Sequence, residues 1–361
     1  MKIFIADDYQ SATPKLAAWS KLAGHDVTVC TETIKDPAKL PAGIEQAEAL
    51  LLIQQRAPFT QAHLDRMPKL KVIAQTGKNV AHIDMVACTK RGVAVVAAGV
   101  GSPYAPAELA WGLIFASLRS IPQEVAALRA GQWQSTVGVG VHGKTLGIYA
   151  YGKIGRLVAK AGAAFGMKVI CWGRGASLER AKADGFEAAA SREALFSQSD
   201  VLSIHIPLNP ETRGIVTAAD LAMMKPTALF VNTSRAPLVA AGALEAALTA
   251  GRPGFAAVDV FEDEPVYGAA HPLLKMDNVV ATPHLGYDEQ STYEMSTYEM
   301  YFAAAFDNLV AFANGKPQHV LNPESLAAKE PEKRGARRPR AGPFRPARRR
   351  VPAAHRQQSE H

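Results

Sequence analysis

The sequence has 361 residues, of which 48% are hydrophobic and 20% charged; this excludes a collagen-like, coiled-coil or wholly disordered chain. A chain of this length is expected to form about two domains. The net charge of +7 belongs to the C-terminal segment, because residues 328–361 contain eleven Lys or Arg and three acids, leaving −1 for residues 1–327. The body therefore lacks the basic excess of a nucleic-acid-binding protein.

The sequence indicates neither a targeting signal nor a cysteine motif. No apolar run has the ~20 residues that cross a bilayer, so no membrane contact is expected. Residues 1–8, MKIFIADD, reach an acidic pair too early for a signal peptide and predict a buried strand. Cys30, Cys88 and Cys171 are scattered and form no CxxC pattern. We expect free thiols, no metal site and a cytoplasmic location.

Short apolar runs recur along the chain and predict strands that are covered on both faces, since most lack strict alternation. The first group of strands is predicted at 2–6, 27–30, 49–53, 71–75 and 93–97. The second group is predicted at 146–150, 168–172, 201–206, 228–232, 256–260 and 279–283. The segments between them suit helices. The sequence thus predicts an α/β protein with two doubly wound, parallel-sheet (Rossmann-like) lobes and a cleft between them.

Two helices are predicted to connect the lobes. Residues 104–130 have the pattern of one long helix that carries the chain into the second lobe, and a helix near 290–313 returns it. The first lobe is then discontinuous. We predict one domain from 1–101 plus 286–325 and a dinucleotide-binding domain from 102–285.

Two other segments have unusual sequences. The pentapeptide STYEM occurs at 291–295 and again at 296–300, a step that does not keep one helix face and indicates a local duplication. Residues 328–361 contain five prolines and predict a basic, disordered tail. A solvated tail without a role is the favoured interpretation, and a contact of its arginines with nucleic acid or an acidic membrane is the alternative.

A glycine-rich turn follows the strand at 146–150. Residues 150–155, AYGKIG, have the GxGxxG pattern with Ala150 in place of the first glycine, and a helix ending at Gly166 follows. Such a turn aims backbone N–H groups and the positive helix end at a pyrophosphate. One glycine allows the backbone to approach the phosphates and the other allows close packing. The predicted cofactor-binding residues of the turn are Ala150, Gly152, Lys153, Ile154 and Gly155.

The next strand ends without the carboxylate that an NAD site normally places there for the ribose hydroxyls. Gly173 and Arg174 stand at this position. No acid repels a 2′-phosphate, and Arg174 could pair with one. The cofactor is therefore NAD or NADP, with NADP favoured locally, unless Arg174 is only a solvated loop residue.

Polar residues lie just beyond three strands of the second lobe, where ligands bind in open α/β sheets. They are NTSR at 232–235, DVFEDEP at 259–265 and TPHLG at 282–286. Together with TLGIYAYGKIG at 145–155 and HIPLNPETRGIV at 205–216, these stretches resemble the D-isomer-specific 2-hydroxyacid dehydrogenases, a family that includes phosphoglycerate dehydrogenases and glyoxylate/hydroxypyruvate reductases. The resemblance implies hydride transfer between NAD(P) and a D-2-hydroxy acid or its 2-keto acid, in a homodimer that has the crossing helix as a candidate contact.

The resemblance also implies catalytic roles. His284 would be the acid/base, and Glu264 would accept a hydrogen bond from its imidazole, with Glu262 and Asp263 as rivals. Arg235 would bind the substrate carboxylate and polarise the carbonyl. Further cofactor contacts are expected from His205, Ile206, Pro207, Thr233, Ser234, Asp259 and Gly286.

A loop of the first lobe corresponds to the one that the family uses for the substrate carboxylate. Gly77, Lys78 and Asn79 would offer backbone N–H groups to an anion. The family usually has glycine at Asn79, often asparagine at His82, and commonly arginine at Gln75. These departures leave the identity of the 2-hydroxy acid open.

The sequence leaves two other hypotheses about function. A dinucleotide-sensing, corepressor-like binding protein would suit the basic tail, but a binding module has no need of an acid/base. Oxidation of formate or phosphite on the same scaffold is disfavoured, because these substrates lack the C2 alcohol for which the histidine is placed.

Overall fold

A computed structural model describes residues 1–99, 101–289 and 297–327. These residues form two all-parallel sheets, which confirms the predicted fold class. The first sheet has the order β2-β1-β3-β4-β5 and consists of β1 (Lys2–Ile5), β2 (Asp26–Val29), β3 (Ala49–Leu52), β4 (Val72–Thr76) and β5 (Ala94–Ala98). The second sheet has the order β12-β11-β10-β9-β6-β7-β8 and consists of β6 (Thr145–Tyr149), β7 (Lys168–Trp172), β8 (Glu187–Ala188), β9 (Val201–Ile204), β10 (Leu229–Asn232), β11 (Phe255–Val258) and β12 (Val279–Ala281).

Helices connect the strands. They are α1 (Gln61–Arg66), α2 (Met85–Lys90), α3 (Tyr104–Leu118), α4 (Ile121–Arg129), α5 (Lys153–Ala164), α6 (Gly175–Ala183), α7 (Arg192–Gln198), α8 (Ala218–Ala222), α9 (Ala243–Thr249), α10 (Thr297–Ala313) and α11 (Glu324–Ala327). Short 3-10 turns occupy Thr13–Lys15, Ala17–Leu22, Ile44–Gln46, Ala236–Leu238 and Pro272–Lys275. Among the described residues, none of the helices is long and apolar enough to cross a membrane.

Each sheet separates two hydrophobic cores, because successive strand residues point to opposite faces. In β6, Leu146 and Ile148 enter the core under α3 and α5, whereas Tyr149 enters the core on the other face. The near-continuous apolar strands predicted from the sequence are therefore explained by burial on both sides. The ends of the strands differ from the predicted ends by at most two residues. The two-residue strand β8 was not predicted.

The prediction of a single helix over 104–130 is wrong. The helix breaks between α3 and α4, where Ser120 has a left-handed backbone with φ +50°. Pro122 explains the break, because it has no N–H to donate and its ring would clash with the carbonyl of Leu118. The predicted end of α5 is confirmed, since Gly166 has φ +77° just beyond the helix.

The chain crosses between the sheets twice. Helix α3 packs on α5 and on β10–β12 of the second sheet, whereas α10 packs on β4 and β5 of the first. The domain bounds 1–101 plus 286–325 and 102–285 remain a prediction. The first STYEM copy and the tail 328–361 lie outside the described residues.

The three cysteines are free and buried. Cys88 lies in the core of the first sheet and Cys171 in the core of the second. Burial raises the pKa of each of these two thiols to about 12, so both remain protonated at neutral pH.

Candidate active site

The glycine-rich turn connects β6 to α5. Ala150, which replaces the usual first glycine, has φ +75°, and its N–H donates to the carbonyl of Trp172 at 2.7 Å. An L-residue in this conformation costs about 1–2 kcal/mol relative to glycine. The turn therefore forms with Ala150 in place of glycine, at some cost in backbone strain.

The two glycines of the turn have different surroundings. A Cβ on Gly155 would lie 2.6 Å from the carbonyl oxygen of Ala150, so this position requires glycine for packing. A Cβ on Gly152 would meet no atom within 4 Å. Gly152 instead faces a cavity of about 330 Å³, here called the smaller cavity, which is also lined by Lys78, Gly99, Gly101, Pro103, Lys153, Ile154, His205, Tyr287 and Tyr301. This open backbone at a helix N-terminus fits the pyrophosphate of a dinucleotide.

Tyr151 fixes the turn to the neighbouring helix α6. The tyrosine is fully buried, its N–H donates to Ser177 Oγ at 2.7 Å, and its hydroxyl donates to Asp184 at 2.6 Å. At the start of α6, the side chain of Arg174 is exposed and has no partner among the described residues. Its guanidinium is thus free beside Gly173, the position where a ribose carboxylate is usual.

The 205–207 segment, a predicted cofactor contact, borders the smaller cavity through His205. His205 Nε2 lies 3.0 Å from Ser203 Oγ, and burial lowers the pKa of the imidazole to about 4. The ring is therefore neutral at physiological pH. Ile206 is buried and Pro207 is exposed.

The predicted catalytic residues follow three adjacent strands, because Arg235, Glu264 and His284 come after β10, β11 and β12. His284 Nδ1 lies 2.6 Å from Glu264 Oε2. Glu264 Oε1 accepts a hydrogen bond from the Phe261 N–H at 2.8 Å. His284 Nε2 has no hydrogen-bond partner among the described residues and is available to a ligand.

The structure separates Glu264 from its two rivals. Glu262 lies 3.0 Å from His271, and Asp263 pairs with Lys35. Glu264 is therefore the carboxylate of this segment that contacts His284.

The charge of Arg235 reaches the same carboxylate. Burial is the strongest influence on Glu264 and opposes its ionisation, but the hydrogen bond and charge of His284, the Phe261 N–H and the charge of Arg235 outweigh it. The pKa of Glu264 is consequently below its ordinary value, and the group is ionised at neutral pH. Arg235 is held by hydrogen bonds to Gln55 Oε1 at 2.7 Å and to the carbonyl of Ser234 at 2.6 Å. The charge of Arg235 therefore acts on the same carboxylate that contacts His284.

Asp259 orients the segment that carries His284. Its carboxylate accepts hydrogen bonds from Thr282 Oγ1 at 2.6 Å, Leu285 N at 2.8 Å and Gly286 N at 2.9 Å. His284 has a left-handed backbone with φ +56°. These three bonds stabilise a conformation that a histidine rarely adopts. The predicted contacts of Asp259 and Gly286 with a cofactor remain predictions.

The Thr233-Ser234 pair, another predicted cofactor contact, links two strands of the second sheet. Thr233 is buried, and Ser234 Oγ donates to the carbonyl of Ile204 at 2.9 Å. Its N–H donates to Asn232 Oδ1 at 3.0 Å. The pair therefore fixes the backbone that leads to Arg235.

The predicted carboxylate loop follows β4 of the first sheet. Gly77 has φ +79°, and the N–H groups of Lys78 and Asn79 have no partner among the described residues. Asn79 Oδ1 accepts from the Ala81 N–H at 3.0 Å and so keeps the loop turned. Two free N–H groups in succession suit a carboxylate.

Comparison with known proteins agrees with this geometry. Residues 111–286 match the family described as D-isomer specific 2-hydroxyacid dehydrogenase, NAD binding domain. The glyoxylate reductase of Aeropyrum pernix is 38% identical over 278 residues, which cover 74% of this chain and 81% of that protein. The chain belongs to the D-isomer-specific 2-hydroxyacid dehydrogenase family.

Other members of this dehydrogenase family are similar in sequence or structure. The D-3-phosphoglycerate dehydrogenase of Methanocaldococcus jannaschii is 38% identical over 263 residues, or 72% of this chain, and the chain spans about half (49%) of that protein's length. A crystal structure of an oxidoreductase from Ralstonia solanacearum is 51% identical, covers 90% of this chain and 98% of its own, and has a TM-score of 0.85. A phosphoglycerate oxidoreductase from Vibrio cholerae is 47% identical, with a TM-score of 0.82 and coverage of 87% and 99%.

Sequence reasoning did not identify three other residues that follow strands of the first sheet and border the candidate site. Gln55 follows β3 and binds Arg235, and Lys35 follows β2 and donates to the carbonyl of Glu264 at 2.8 Å. Arg56 lines a cavity of about 660 Å³, here called the larger cavity, whose wall includes Glu264 and His284. Ligands bind at the carboxyl ends of strands in both lobes of such a protein, so the segments after β2 and β3 of the first lobe were also candidates.

Proposed function

We propose that the protein is an NAD(P)-dependent oxidoreductase that interconverts a D-2-hydroxy acid and its 2-keto acid. The proposal rests on the 2.6 Å contact of His284 with Glu264, in a site that also feels the charge of Arg235. The glycine-rich turn on the same sheet, and the membership of the family, support it.

The residues divide the chemistry among them. The N–H groups of Lys78 and Asn79 and the guanidinium of Arg235 bind the substrate carboxylate, and Arg235 also polarises the C2 carbonyl. His284 donates a proton from Nε2 to the C2 oxygen during reduction and takes it back during oxidation. Glu264 lies 2.6 Å from Nδ1 and orients the imidazole, which leaves Nε2 for the substrate. A bound nicotinamide supplies or accepts the hydride.

The cofactor preference is a separate part of the proposal. The family model describes an NAD-binding domain. We propose that this chain also uses NADP, because Gly173 leaves no carboxylate to repel a 2′-phosphate and the exposed Arg174 can pair with it.

We propose that two copies associate through α4 and the segment after it. Leu128 is 59% exposed, Trp133 78% and Val137 97%, which places three large apolar side chains on one stretch of surface. Apolar surface of this kind is commonly covered by a partner. Light scattering of the purified protein should give the mass of a dimer, and Trp133→Ser should lower the fraction of dimer.

The small 2-keto acid is the only ligand proposed besides the dinucleotide. The buried, protonated thiols suit a reducing compartment, and we propose the cytoplasm.

The deciding experiment measures NADH and NADPH oxidation with glyoxylate, hydroxypyruvate and phosphohydroxypyruvate, with dinucleotide affinity determined in parallel. We expect oxidation with at least one 2-keto acid. Tight dinucleotide binding without oxidation of any 2-keto acid would reject the dehydrogenase and favour a sensor of dinucleotides.

A further inference from the structure

The carboxyl ends of the strands of both sheets line the cleft between the lobes. The order of the strands therefore runs along the cleft in the same direction on both sides. The smaller cavity lies beyond β4 and β5 of the first sheet and beyond β6 and β9 of the second. The larger cavity lies beyond β1, β2 and β3 on one side and beyond β11 and β12 on the other. Strand β10, which precedes Arg235, lies between β11 and β9 in the second sheet.

This order fixes where a substrate's side chain points. With the carboxylate at Lys78 and Asn79, beyond β4, and C2 between Arg235 and His284, the remaining substituent of C2 extends towards the larger cavity. His284 and Glu264 both line that cavity. A 2-keto acid can therefore react at His284 while its side chain occupies the larger cavity.

Among the residues that the structure describes, Arg56 is the one arginine or lysine that lines the larger cavity, and its charge is already neutralised. Arg56 donates to Asp288 at 3.0 Å, to the hydroxyl of Tyr298 at 2.8 Å and to the carbonyl of Asp7 at 2.6 Å. The side chains of Arg56 and Asp288 are 10% and 9% exposed. A phosphate or second carboxylate would have to displace Asp288 from this pair, at the cost of leaving a buried carboxylate unpaired.

The balance of charge also opposes an anion. The carboxylates of Asp288 and Glu264 on the wall of the larger cavity already pair with Arg56 and His284, so the wall carries no net positive charge. Gln10 and Gln54 donate their amide groups to Asp288, at 2.5 and 3.1 Å, and complete its hydrogen bonding. The hydrogen bonds of Arg56 and Asp288 are thus satisfied without a ligand, so the Arg56 guanidinium is not free to bind an anion.

Apolar side chains also line this cavity, alongside two tyrosines and two threonines. Phe261, Pro265, Val266, Leu274 and Pro283 line the second-lobe side. The volume of about 660 Å³ exceeds what glyoxylate, which has no side chain, can fill. Cavities of ~300–1,000 Å³ with apolar walls and few polar groups bind uncharged organic groups well.

We infer that the preferred substrate is a 2-keto acid, or the matching D-2-hydroxy acid, with an uncharged apolar side chain in the size range from isobutyl to benzyl. Acids with a phosphate or a second carboxylate on that side chain are poor substrates. This inference rests on the proposed dehydrogenase function and specifies the substrate class of the same site.

The test compares kcat/KM for 4-methyl-2-oxopentanoate and phenylpyruvate with values for glyoxylate and 3-phosphohydroxypyruvate, using NADH and NADPH. We expect the apolar acids to exceed the other two by at least tenfold. Equal or faster turnover of phosphohydroxypyruvate or glyoxylate would overturn the inference and leave the dehydrogenase function standing. If neither NADH nor NADPH is oxidised with any of the four acids, the dehydrogenase function itself is rejected.

Asp288→Asn tests the charge argument. Removing the carboxylate leaves the positive charge of Arg56 uncompensated, so kcat/KM for phosphohydroxypyruvate should rise about tenfold relative to 4-methyl-2-oxopentanoate. The control is Asp307→Asn on α10, whose carboxylate pairs with the exposed Lys21 and should leave the ratio unchanged. An unchanged ratio in Asp288→Asn would contradict the proposed role of the pair.

Leu274→Ser gives an independent test if the Asp288 variant does not fold. Leu274 is 38% exposed, so the substitution places little strain on the core. Loss of this apolar wall should lower kcat/KM for 4-methyl-2-oxopentanoate about tenfold more than kcat/KM for glyoxylate. An equal effect on the two acids would show that the side chain does not occupy the larger cavity.

Discussion

The two ends of the inter-lobe cleft present different chemical groups, backbone at one end and side chains at the other. At the smaller cavity the chain offers backbone, with Gly152 and the start of α5 facing open space. At the larger cavity it offers side chains that already satisfy one another, as in the pair of Arg56 with Asp288. The glycine-rich turn at the first end is specified within six consecutive residues, 150–155. The second depends on contacts such as that of Arg56 with Asp288, which join residues 232 positions apart. Substitutions at the two ends should therefore fail in different ways.

The largest expected effect is at the acid/base. His284→Ala should lower kcat by about two to four orders of magnitude, the usual contribution of a general acid/base. Dinucleotide affinity should remain, because the smaller cavity is built by other residues. Steady-state kinetics and a binding titration measure the two quantities, with the exposed His142→Ala as the control. Unchanged turnover would remove His284 from the mechanism.

The next effect separates the two glycines of the turn. Gly152→Ala should weaken dinucleotide binding by about tenfold or more without changing the melting temperature, because the added methyl group meets no protein atom and enters the cavity. Gly155→Ala should instead lower the free energy of unfolding by about 1–3 kcal/mol, through the contact with the carbonyl of Ala150. Wild-type affinity in Gly152→Ala would show that the dinucleotide does not approach this backbone.

A smaller effect is expected at the edge of the turn. Arg174→Ala should raise KM for NADPH about tenfold more than KM for NADH, because a charged hydrogen bond to the 2′-phosphate is lost. The NADH measurement on the same variant is the internal control. Equal changes for the two cofactors would reject the phosphate pairing.

The smallest effect tests how the first lobe supports Glu264. Lys35 follows Ile34, whose N–H donates to Asp7 Oδ1 at 3.1 Å and whose carbonyl lies 2.8 Å from His63 Nε2, so the lysine stands on a fixed backbone. Lys35→Met should lower kcat about three- to tenfold through a looser Glu264–His284 pair, with KM for the dinucleotide unchanged.

The control for this variant is Lys21→Met, which breaks an ion pair with Asp307 far from Glu264. A change in dinucleotide KM without a change in kcat would assign Lys35 a role other than supporting Glu264.

The sequence was sufficient for features that depend on one segment or one sheet. The strand runs and the turn at 150–155 are local, and a parallel sheet brings Arg235, Glu264 and His284 to one edge once their strands are adjacent. Contacts between the lobes were not predicted, because the pairing of Lys35 with Asp263 requires the relative orientation of two sheets. The break at Ser120 was missed for another reason, since the helical composition of 104–130 outweighed the proline at 122.

Two of the three buried cysteines, Cys88 and Cys171, give each lobe its own internal reporter. Cys88 sits in the core of the first sheet and Cys171 in that of the second, and neither side chain is exposed. A thiol reagent can reach each of them only when the surrounding core opens. The rates of alkylation at the two positions, followed by mass spectrometry across a denaturant series, therefore show whether the lobes unfold together or one before the other.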